Sequence, residues 1–263
     1  MIGVLPNQEI EKLIKIGAIS SDVPIESEQI QPASLDMRLG SKAFRIRASF
    51  LPGNREKVEE RLKSLQMHEI DLRVGAVLEK GCVYLVPLLE VLKLPTDIQA
   101  AANAKSSTGR LDLLTRTISD SGEEFDRISS GYSGKLYAEI CPRSFSVLVR
   151  TGMKLNQIRF RNKNTTLNDE SLKALHAKEK LVPGNAIIDD GLAFSVDLQP
   201  SHGNLVGYRA KPHTGIIDLD LIDHYDPTEF WDEIRTSCGE IILDPGAFYI
   251  LVSRESVHIL SLI

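Results

Sequence analysis

The sequence predicts a mainly β protein with short flanking helices, followed by a partial second barrel-like repeat. Three observations support this fold class. From Ala76 to Phe160, short apolar runs are separated by Gly and Pro turns, which is typical of a β-barrel or a β-sandwich. Segments with helical spacing lie on either side of these runs. The later part of the chain restarts the order of short motifs found in the earlier part, which is the signature of an internal repeat.

A short helix is expected near the N terminus. Asn7 can cap its start, and Gly17 can end it. Ile10, Leu13 and Ile14 recur at helical spacing and share one face. The pattern therefore predicts an amphipathic helix of two to three turns that packs through this face.

The next segment, residues 33–48, is expected to be a strand. Apolar and charged residues alternate along it, with Leu35, Met37 and Leu39 against Asp36 and Arg38. Alternation with a period of two is typical of a strand with one buried face and one polar face.

Two further helices are predicted outside the strand-rich segment. Residues 55–66 are highly charged, but Val58, Leu62 and Leu65 recur at helical spacing. Residues 161–185 are polar and are interpreted as a connector with one helix near 170–180.

Four short matches support the internal repeat. They are Ser34–Met37 with Ser195–Leu198, Arg47–Ala48 with Arg209–Ala210, Glu69–Ile70 with Glu233–Ile234, and the Gly, Tyr and Glu of Gly81–Glu90 with those of Gly246–Glu255. The spacing between partners rises slowly, from 161 to 165 residues. Any one match can arise by chance, but their common order predicts a duplication.

Length, composition and charge leave several function classes open and disfavour others. At 263 residues with 42% apolar residues, the chain can form one large domain or two small ones. The formal charge of −5 disfavours binding to nucleic acid, although a local cationic cluster can still bind a nucleotide. No run of eighteen apolar residues and no signal-peptide pattern is present, so a cytoplasmic protein with no membrane partner is expected. The three isolated cysteines argue against a disulfide framework.

The most informative motif is Lys105-Ser-Ser-Thr-Gly-Arg110, which we call the cradle. It combines two cations, three hydroxyls and a glycine that lets backbone N–H groups approach a polyanion. Phosphate oxygens are bound by this mixture of groups. The alternative is an ordinary polar loop with a helix or strand cap, since such short runs are common.

A second motif follows at residues 131–139. It is interpreted as a strand that begins at a glycine turn and carries Tyr137 and Glu139 on the same face, because they are two residues apart. Glu139 is therefore a candidate catalytic carboxylate, although a glutamate on a strand is more often simply exposed to solvent.

These motifs resemble the dCTP deaminase branch of the dUTPase-like superfamily, in its duplicated, double-length form. Four segments carry the resemblance, in the same order as in the family. They are residues 31–40 (QPASLDMRLG), the cradle, residues 131–139, and residues 151–158 (TGMKLNQI). The resemblance implies a dUTPase-like distorted β-barrel that converts dCTP to dUTP and ammonia by hydrolysis, without zinc. It also implies a homo-oligomer with trimer-like barrel contacts and active sites between subunits.

The resemblance also implies roles for individual residues. Glu139 is expected to be the catalytic group. Ser106 and Arg110, with Ser107 beside them, are expected to bind the phosphates, and Lys105 takes the place of a phosphate-contacting cation.

Thr117 and Ser119 lie where the family presents groups to the pyrimidine, and ordinary strand polarity explains them equally well. The family's sugar-binding aspartate is replaced by Ser129, and Asp126 is the nearest substitute. Gln157 is expected near the substrate, where it helps to hold the closing strand of the barrel.

The expected domains are a deaminase-like barrel at 1–165, a connector at 166–190 and an incomplete second repeat at 191–263. At the spacing of the repeat, the counterpart of Lys105 would lie beyond Ile263. The second repeat is therefore expected to lack a cradle and a catalytic carboxylate of its own.

A mechanism without zinc is expected because the ligand pattern of zinc-dependent cytosine deaminases is absent from the sequence. No His precedes a Glu by two residues, and Cys141-Pro142 runs in the wrong order for a Pro-Cys-x-x-Cys pair. A single carboxylate must then transfer the protons. Mg²⁺ is expected to enter bound to the nucleoside triphosphate, with no metal site in the protein itself.

Two other functions remain open at this stage. The chain could be a dUTP diphosphatase or a bifunctional enzyme, in which a carboxylate activates water against the α-phosphate. It could also be a regulatory subunit that binds nucleotides without turnover. Release of ammonia, release of pyrophosphate, or binding without any product distinguishes the three.

Overall fold

A computed structural model describes residues 3–54, 56–163, 166–199 and 203–259. The chain divides into two compact units. Unit 1 comprises residues 1–164 and 212–225, and unit 2 comprises residues 165–211 and 226–263. The helices are α1 Asn7–Lys15, α2 Val58–Leu65, α3 Ser106–Gly109, α4 Asp169–Glu179 and α5 Pro227–Phe230, with a 3-10 turn at Ser27–Gln29.

Strands dominate the regular structure, which confirms the prediction of a mainly β chain with short helices. They are β1 Ile19–Ser20, β2 Ile30–Gln31, β3 Ser34–Arg38, β4 Lys42–Ile46, β5 Gln66–Asp71, β6 Ala76–Leu78, β7 Val83–Lys93, β8 Gln99–Ala104, β9 Leu113–Ser119, β10 Arg127–Ile128, β11 Ser133–Pro142, β12 Val147–Val149, β13 Lys154–Arg161, β14 Leu205–Ala210, β15 Ile217–Asp218, β16 Trp231–Arg235 and β17 Tyr249–Leu251.

Unit 1 is built from two larger sheets and one small sheet. One larger sheet has the order β5-β4-β7-β11-β9, with β1 also paired to β7, and the other has the order β10-β8-β13-β3-β2. In the small sheet β12 lies between β6 and β15. β15 pairs in parallel with β12, and the Arg150 guanidinium binds the carboxylate of Asp218 with N–O distances of 2.7 and 2.9 Å. Residues 217 and 218, from the later part of the sequence, therefore complete the small sheet of unit 1.

A hydrophobic cluster lies between α2 and the sheet that contains β11. Its buried members are Ile46, Phe50, Val58, Leu62, Leu85, Ile118 and Tyr137. Val58 and Leu62 are one helical turn apart, so α2 contributes a single apolar face to this cluster, as its spacing predicts. Burial of these side chains supplies much of the free energy that holds α2 on the sheet.

The predicted single strand over 33–48, with one polar face, is wrong in two respects. The chain forms two strands, β3 and β4, separated at Gly40. A side chain at Gly40 would place its Cβ 2.6 Å from the Pro87 carbonyl oxygen, so only glycine fits there. In addition, every residue of β3 is buried, including Asp36 and Arg38.

The buried charge of Arg38 is matched by Glu90. Arg38 Nε lies 2.8 Å from Glu90 Oε1, and the Arg38 backbone N–H donates to Glu90 Oε2 at 2.8 Å. Gln29 Nε2 also donates to Glu90 Oε1, at 2.9 Å. Buried charges are tolerated when they are paired and hydrogen-bonded in this way, which is why alternation alone gave the wrong prediction for β3.

The sheet of unit 2, with the order β16-β14-β17, repeats the pairing pattern of β5-β4-β7 in unit 1. Corresponding residues face each other in the two sheets. Phe44 lies opposite Glu69 and Arg45 opposite Tyr84 in unit 1, and Tyr208 lies opposite Glu233 and Arg209 opposite Tyr249 in unit 2. The Tyr84 hydroxyl accepts the Glu79 N–H at 3.0 Å, and the Tyr249 hydroxyl accepts the Asp244 N–H at 2.8 Å.

Candidate active site

Glu139 lies in the middle of β11, between β7 and β9. Across the antiparallel ladder it faces Leu85 on β7 and Arg116 on β9. Tyr137, two residues earlier, enters the hydrophobic cluster next to α2. Residues opposite each other on antiparallel strands share a face, so Leu85 and Arg116 are the cross-strand neighbours of the carboxylate.

The two oxygens of the Glu139 carboxylate differ in their contacts. Oε1 accepts hydrogen bonds from Arg116 Nε, at 3.1 Å, and from Arg116 Nη2. Oε2 is buried and has no hydrogen-bond partner among the described residues. The side chain is 2% exposed. One oxygen is therefore neutralised by a cation, and the other is free to bind a proton or a donor.

Arg116 is held by two further contacts. Its guanidinium carbon lies 3.7 Å from the centroid of the Phe125 ring, and Nη2 donates to Ser49 Oγ at 3.0 Å. Stacking on an aromatic face fixes the plane of a guanidinium group. The sequence analysis did not single out Arg116. The available signal was a cation within the strand that pairs with β11.

Asp126 is connected to β9 through Thr117. Its Oδ1 accepts the Thr117 N–H at 2.7 Å, and its own N–H donates to the Thr117 carbonyl at 2.8 Å. The Asp126 backbone is left-handed, with φ of 61°. Burial raises the pKa of the Asp126 carboxyl, and the nearby negative charge of Glu139 adds to the rise, whereas the Thr117 hydrogen bonds and Arg116 oppose it.

Thr117 and Ser119 alternate with Arg116 along β9, so their side chains lie on the opposite face from that of Glu139. Both are buried. The Thr117 hydroxyl accepts a hydrogen bond from Asn156 Nδ2 on β13, at 3.3 Å. The structure therefore places the Thr117 side chain between the two larger sheets.

The cradle lies at α3, between β8 and β9. Ser106, Ser107 and Arg110 are exposed, and Arg110 Nη2 lies 3.5 Å from Ser106 Oγ. The Gly109 N–H donates to the Lys105 carbonyl at 2.9 Å. The Gly109 N–H is therefore engaged within the α3 turn, and the predicted phosphate-binding role of the cradle stays a prediction.

Lys105 is engaged by a buried carboxylate. Its Nζ forms an ion pair with Asp36 Oδ2 on β3, and the Asp36 side chain is 3% exposed. Gln157, on β13, lies opposite Asp36 in the ladder and accepts a hydrogen bond from Ser34 Oγ at 3.2 Å. Lys105 and Gln157 thus connect the cradle region to β3.

The predicted site residues form three groups. The first is Glu139, which Arg116 binds, the second is Asp126 with Thr117, and the third is the cradle with Gln157; Ser119 lies apart from these, in the lining of the cavity described next. Among the described residues, no hydrogen bond or ion pair joins the cradle to Glu139. A cavity of about 560 Å³ lies beside the loop that follows β9, and its lining includes Ser119, Asp120, Glu123, Glu124, Arg127 and Ser129.

Two general features concern metals and membranes. Within residues 3–54, 56–163, 166–199 and 203–259, no group of three or more His, Cys, Asp or Glu side chains is placed to hold a metal ion. The predicted independence from zinc stays a prediction. In the same part of the chain, no helix has the length and apolar character needed to cross a membrane.

Two family models match the chain. The model described as the 2′-deoxycytidine 5′-triphosphate deaminase N-terminal domain matches residues 1–164, which contain all the predicted site residues. The model described as the C-terminal domain of the same deaminase matches residues 168–262.

Individual proteins give matches of the same kind. A crystal structure of 2′-deoxycytidine 5′-triphosphate deaminase from Agrobacterium tumefaciens is 49% identical, with a TM-score of 0.92, and the match covers 98% of this chain and 77% of that one. A protein named "dCTP deaminase, dUMP-forming" from Beutenbergia cavernae is 28% identical over 158 residues, or 60% of this chain and 78% of that protein. A "dCTP deaminase" from Haemophilus influenzae is 32% identical over 143 residues, or 51% of this chain and 70% of that protein.

Proposed function

This chain belongs to the 2′-deoxycytidine 5′-triphosphate deaminase family, and from that premise we propose that it hydrolyses dCTP to dUTP and ammonia with Glu139 as the proton-transfer group. The family is one of enzymes, and its reaction is nucleotide deamination. The observation that carries the residue assignment is the carboxylate of Glu139, buried in the middle of β11, with one oxygen bound by Arg116 and the other free.

The proposed chemistry uses the free oxygen of Glu139. Water attacks C4 of the cytosine ring, its proton passes to Glu139 Oε2, and the carboxyl passes this proton to N3 of the ring. The carboxylate then takes the proton of the new C4 hydroxyl and delivers it to the amine as the C4–N bond breaks and the C4 carbonyl forms, so that one water is consumed and one ammonia leaves. Transfer of protons by a positioned carboxyl group typically contributes a factor of about 10² to 10⁴ to the rate.

The remaining site residues are proposed to bind the nucleotide. Ser106, Ser107 and Arg110 are exposed at α3 and can donate to phosphate oxygens. Lys105 supports the same region through its ion pair with Asp36. Thr117, Ser119, Asp126 and Gln157 are proposed to surround the sugar and base, either directly or by holding the strands that do so. Mg²⁺ would be carried by the triphosphate, since Mg²⁺ usually binds through substrate phosphates and waters.

The direct test is product analysis of the purified chain with dCTP, CTP and dUTP, each with Mg²⁺. We expect ammonia release from dCTP. Glu139→Gln should lower this rate by at least about 100-fold because the amide cannot accept the proton, while dCTP affinity stays within a few-fold. Substantial ammonia release by Glu139→Gln would assign the proton transfer to another residue.

A bifunctional reaction is the second candidate. It is favoured by the names of two relatives, from Beutenbergia cavernae and Pseudarthrobacter chlorophenolicus, which are both described as dUMP-forming. In this reaction dUTP is also cleaved, and pyrophosphate and dUMP are released. Equal amounts of ammonia and pyrophosphate from dCTP would support it, whereas ammonia alone would leave simple deamination.

We also propose that the enzyme is a homo-oligomer with trimer-like contacts between barrels. The proposal rests on the family resemblance. Sedimentation analysis of the purified chain tests it, and a monomer at micromolar concentration would contradict it.

A further inference from the structure

Arg116 has no role among the motifs that suggested the function, yet it is the residue that binds Glu139. We propose that Arg116 is a positioning residue that keeps the Glu139 carboxylate charged and assigns proton transfer to Oε2. This inference rests on the proposed function of Glu139. It concerns the charge of the Glu139 carboxylate and which of its two oxygens takes the proton.

The first argument is the asymmetry of the contacts. Both Arg116 donors, Nε and Nη2, bind the same oxygen, Oε1. The other oxygen, Oε2, is buried and has no hydrogen-bond partner among the described residues. A carboxylate with one oxygen saturated can accept a proton most readily at the other, so the pairing selects Oε2.

The second argument is electrostatic. The Glu139 side chain is 2% exposed, and an unpaired charge at such a site is strongly disfavoured relative to the neutral acid. A neutral carboxyl group cannot take a proton from water. Because an arginine side chain stays protonated in proteins, Arg116 supplies a permanent counter-charge that keeps the carboxylate ionised.

The third argument is that Arg116 itself is fixed in place. It lies directly opposite Glu139 in the β9–β11 ladder, stacks on Phe125 and donates to Ser49. These contacts hold the guanidinium plane from three directions. A lysine can supply the charge, but it cannot stack in the same way or present two donors in a fixed geometry.

In the described part of the chain, Arg116 is the only cation that forms a hydrogen bond or ion pair with Glu139. Asp126 is close enough for its charge to interact with that of Glu139, as is the Cys141 thiol. Tyr137, on the same strand face, has its hydroxyl 3.3 Å from Glu59 of α2. Glu59 is itself paired with Lys135, at 2.8 Å. β7 contributes the apolar Leu85 opposite Glu139.

The test is the pH dependence of ammonia release by Arg116→Gln. At pH 7 we expect kcat for dCTP to fall by about 10- to 100-fold because the buried carboxylate then lacks its counter-charge. Raising the pH should restore much of the activity, so the acid limb of the pH profile moves upward by at least about one unit, which corresponds to a tenfold change in proton binding. The KM for dCTP should change by less than about threefold, since a positioning residue acts on kcat.

Two variants serve as controls. Arg116→Lys keeps the charge, so its acid limb should stay near that of the natural protein even if kcat falls. Arg73→Gln removes an exposed arginine that pairs with Asp71 at the surface, and it should leave the pH profile unchanged.

The double variant Arg116→Gln/Glu139→Gln tests whether the arginine acts through the carboxylate. It should be no slower than Glu139→Gln alone.

The results separate this inference from the proposed function. If the natural protein releases no ammonia, or if Glu139→Gln remains active, the proposed function is wrong. The proposed role of Arg116 is then wrong as well, because it depends on that function. If Glu139→Gln is inactive but Arg116→Gln has the natural pH profile, Arg116 does not control the ionisation of Glu139. A fall in the kcat of Arg116→Gln by the same factor at every pH, in a protein with unchanged circular dichroism, would also contradict the inference. If Arg116→Gln does not fold, the pH profile of Arg116→Lys tests the proposal instead. An acid limb at the same pH as in the natural protein would support it, and an acid limb shifted upward despite the retained charge would contradict it.

Discussion

At the residue scale, the position of Glu139 on a strand could be predicted, and its pairing with Arg116 could not. The spacing of Tyr137 and Glu139 predicts a shared face because alternation is a local property of a strand. The pairing of Glu139 with Arg116 depends on the register between β9 and β11, which are joined by the long segment 120–132. Nothing in the local sequence determines that register. For the same reason, the ion pair of Lys105 with the buried Asp36 was not foreseen.

Arg110 gives the first prediction at this scale. Its side chain is exposed, and among the residues that the structure describes its hydrogen bond is to Ser106 Oγ at 3.5 Å, so the guanidinium is available for a phosphate. Arg110→Ala should weaken binding of dCTP by about 1.5 to 3 kcal/mol, the range for a hydrogen bond to a charged group. Calorimetric titration with dCTP and with cytidine measures the effect. Equal losses for both ligands would show that Arg110 supports the fold and does not contact the phosphates.

At the element scale, helices and the general β character were predictable, whereas breaks between strands were not. α2 and α4 lie within a few residues of their predicted positions because helical spacing is a local signal. The break between β3 and β4 depends on the close approach of Gly40 to Pro87, which belongs to a strand distant in sequence. The duplication stays a prediction. The matching registers of β5-β4-β7 and β16-β14-β17 support it.

The role of α2 gives the second prediction. Leu62 is 6% exposed and packs in the cluster that contains Tyr137, two residues before Glu139. Leu62→Ala should lower the free energy of unfolding by about 2 to 5 kcal/mol, as expected for a buried leucine. Denaturant unfolding measures the change. Lys63→Ala, on the exposed side of the same helix, is the matched control and should change stability by less than about 0.5 kcal/mol.

At the scale of the whole molecule, a segment from the later part of the sequence belongs to unit 1, which composition and periodicity do not predict. Residues 212–225 belong to unit 1, although the residues on both sides of them in sequence belong to unit 2. β15 joins β12 in this segment, and the Asp218 carboxylate binds Arg150. Hydrogen bonds from Arg150 hold the pKa of Asp218 below its usual range. A long-range parallel pair of two residues has no sequence signature.

The requirement for metal is the last prediction and also belongs to the whole chain. The sequence lacks the zinc-deaminase ligand pattern, and the described His, Cys, Asp and Glu side chains form no group suited to a metal ion. We therefore predict that Glu139 acts without a metal-activated water. Treatment with a zinc-selective chelator, followed by excess Mg²⁺, should leave the rate of ammonia release from dCTP unchanged. If the purified protein contains one zinc per chain and its activity follows the zinc content, the proton-transfer role of Glu139 alone is insufficient.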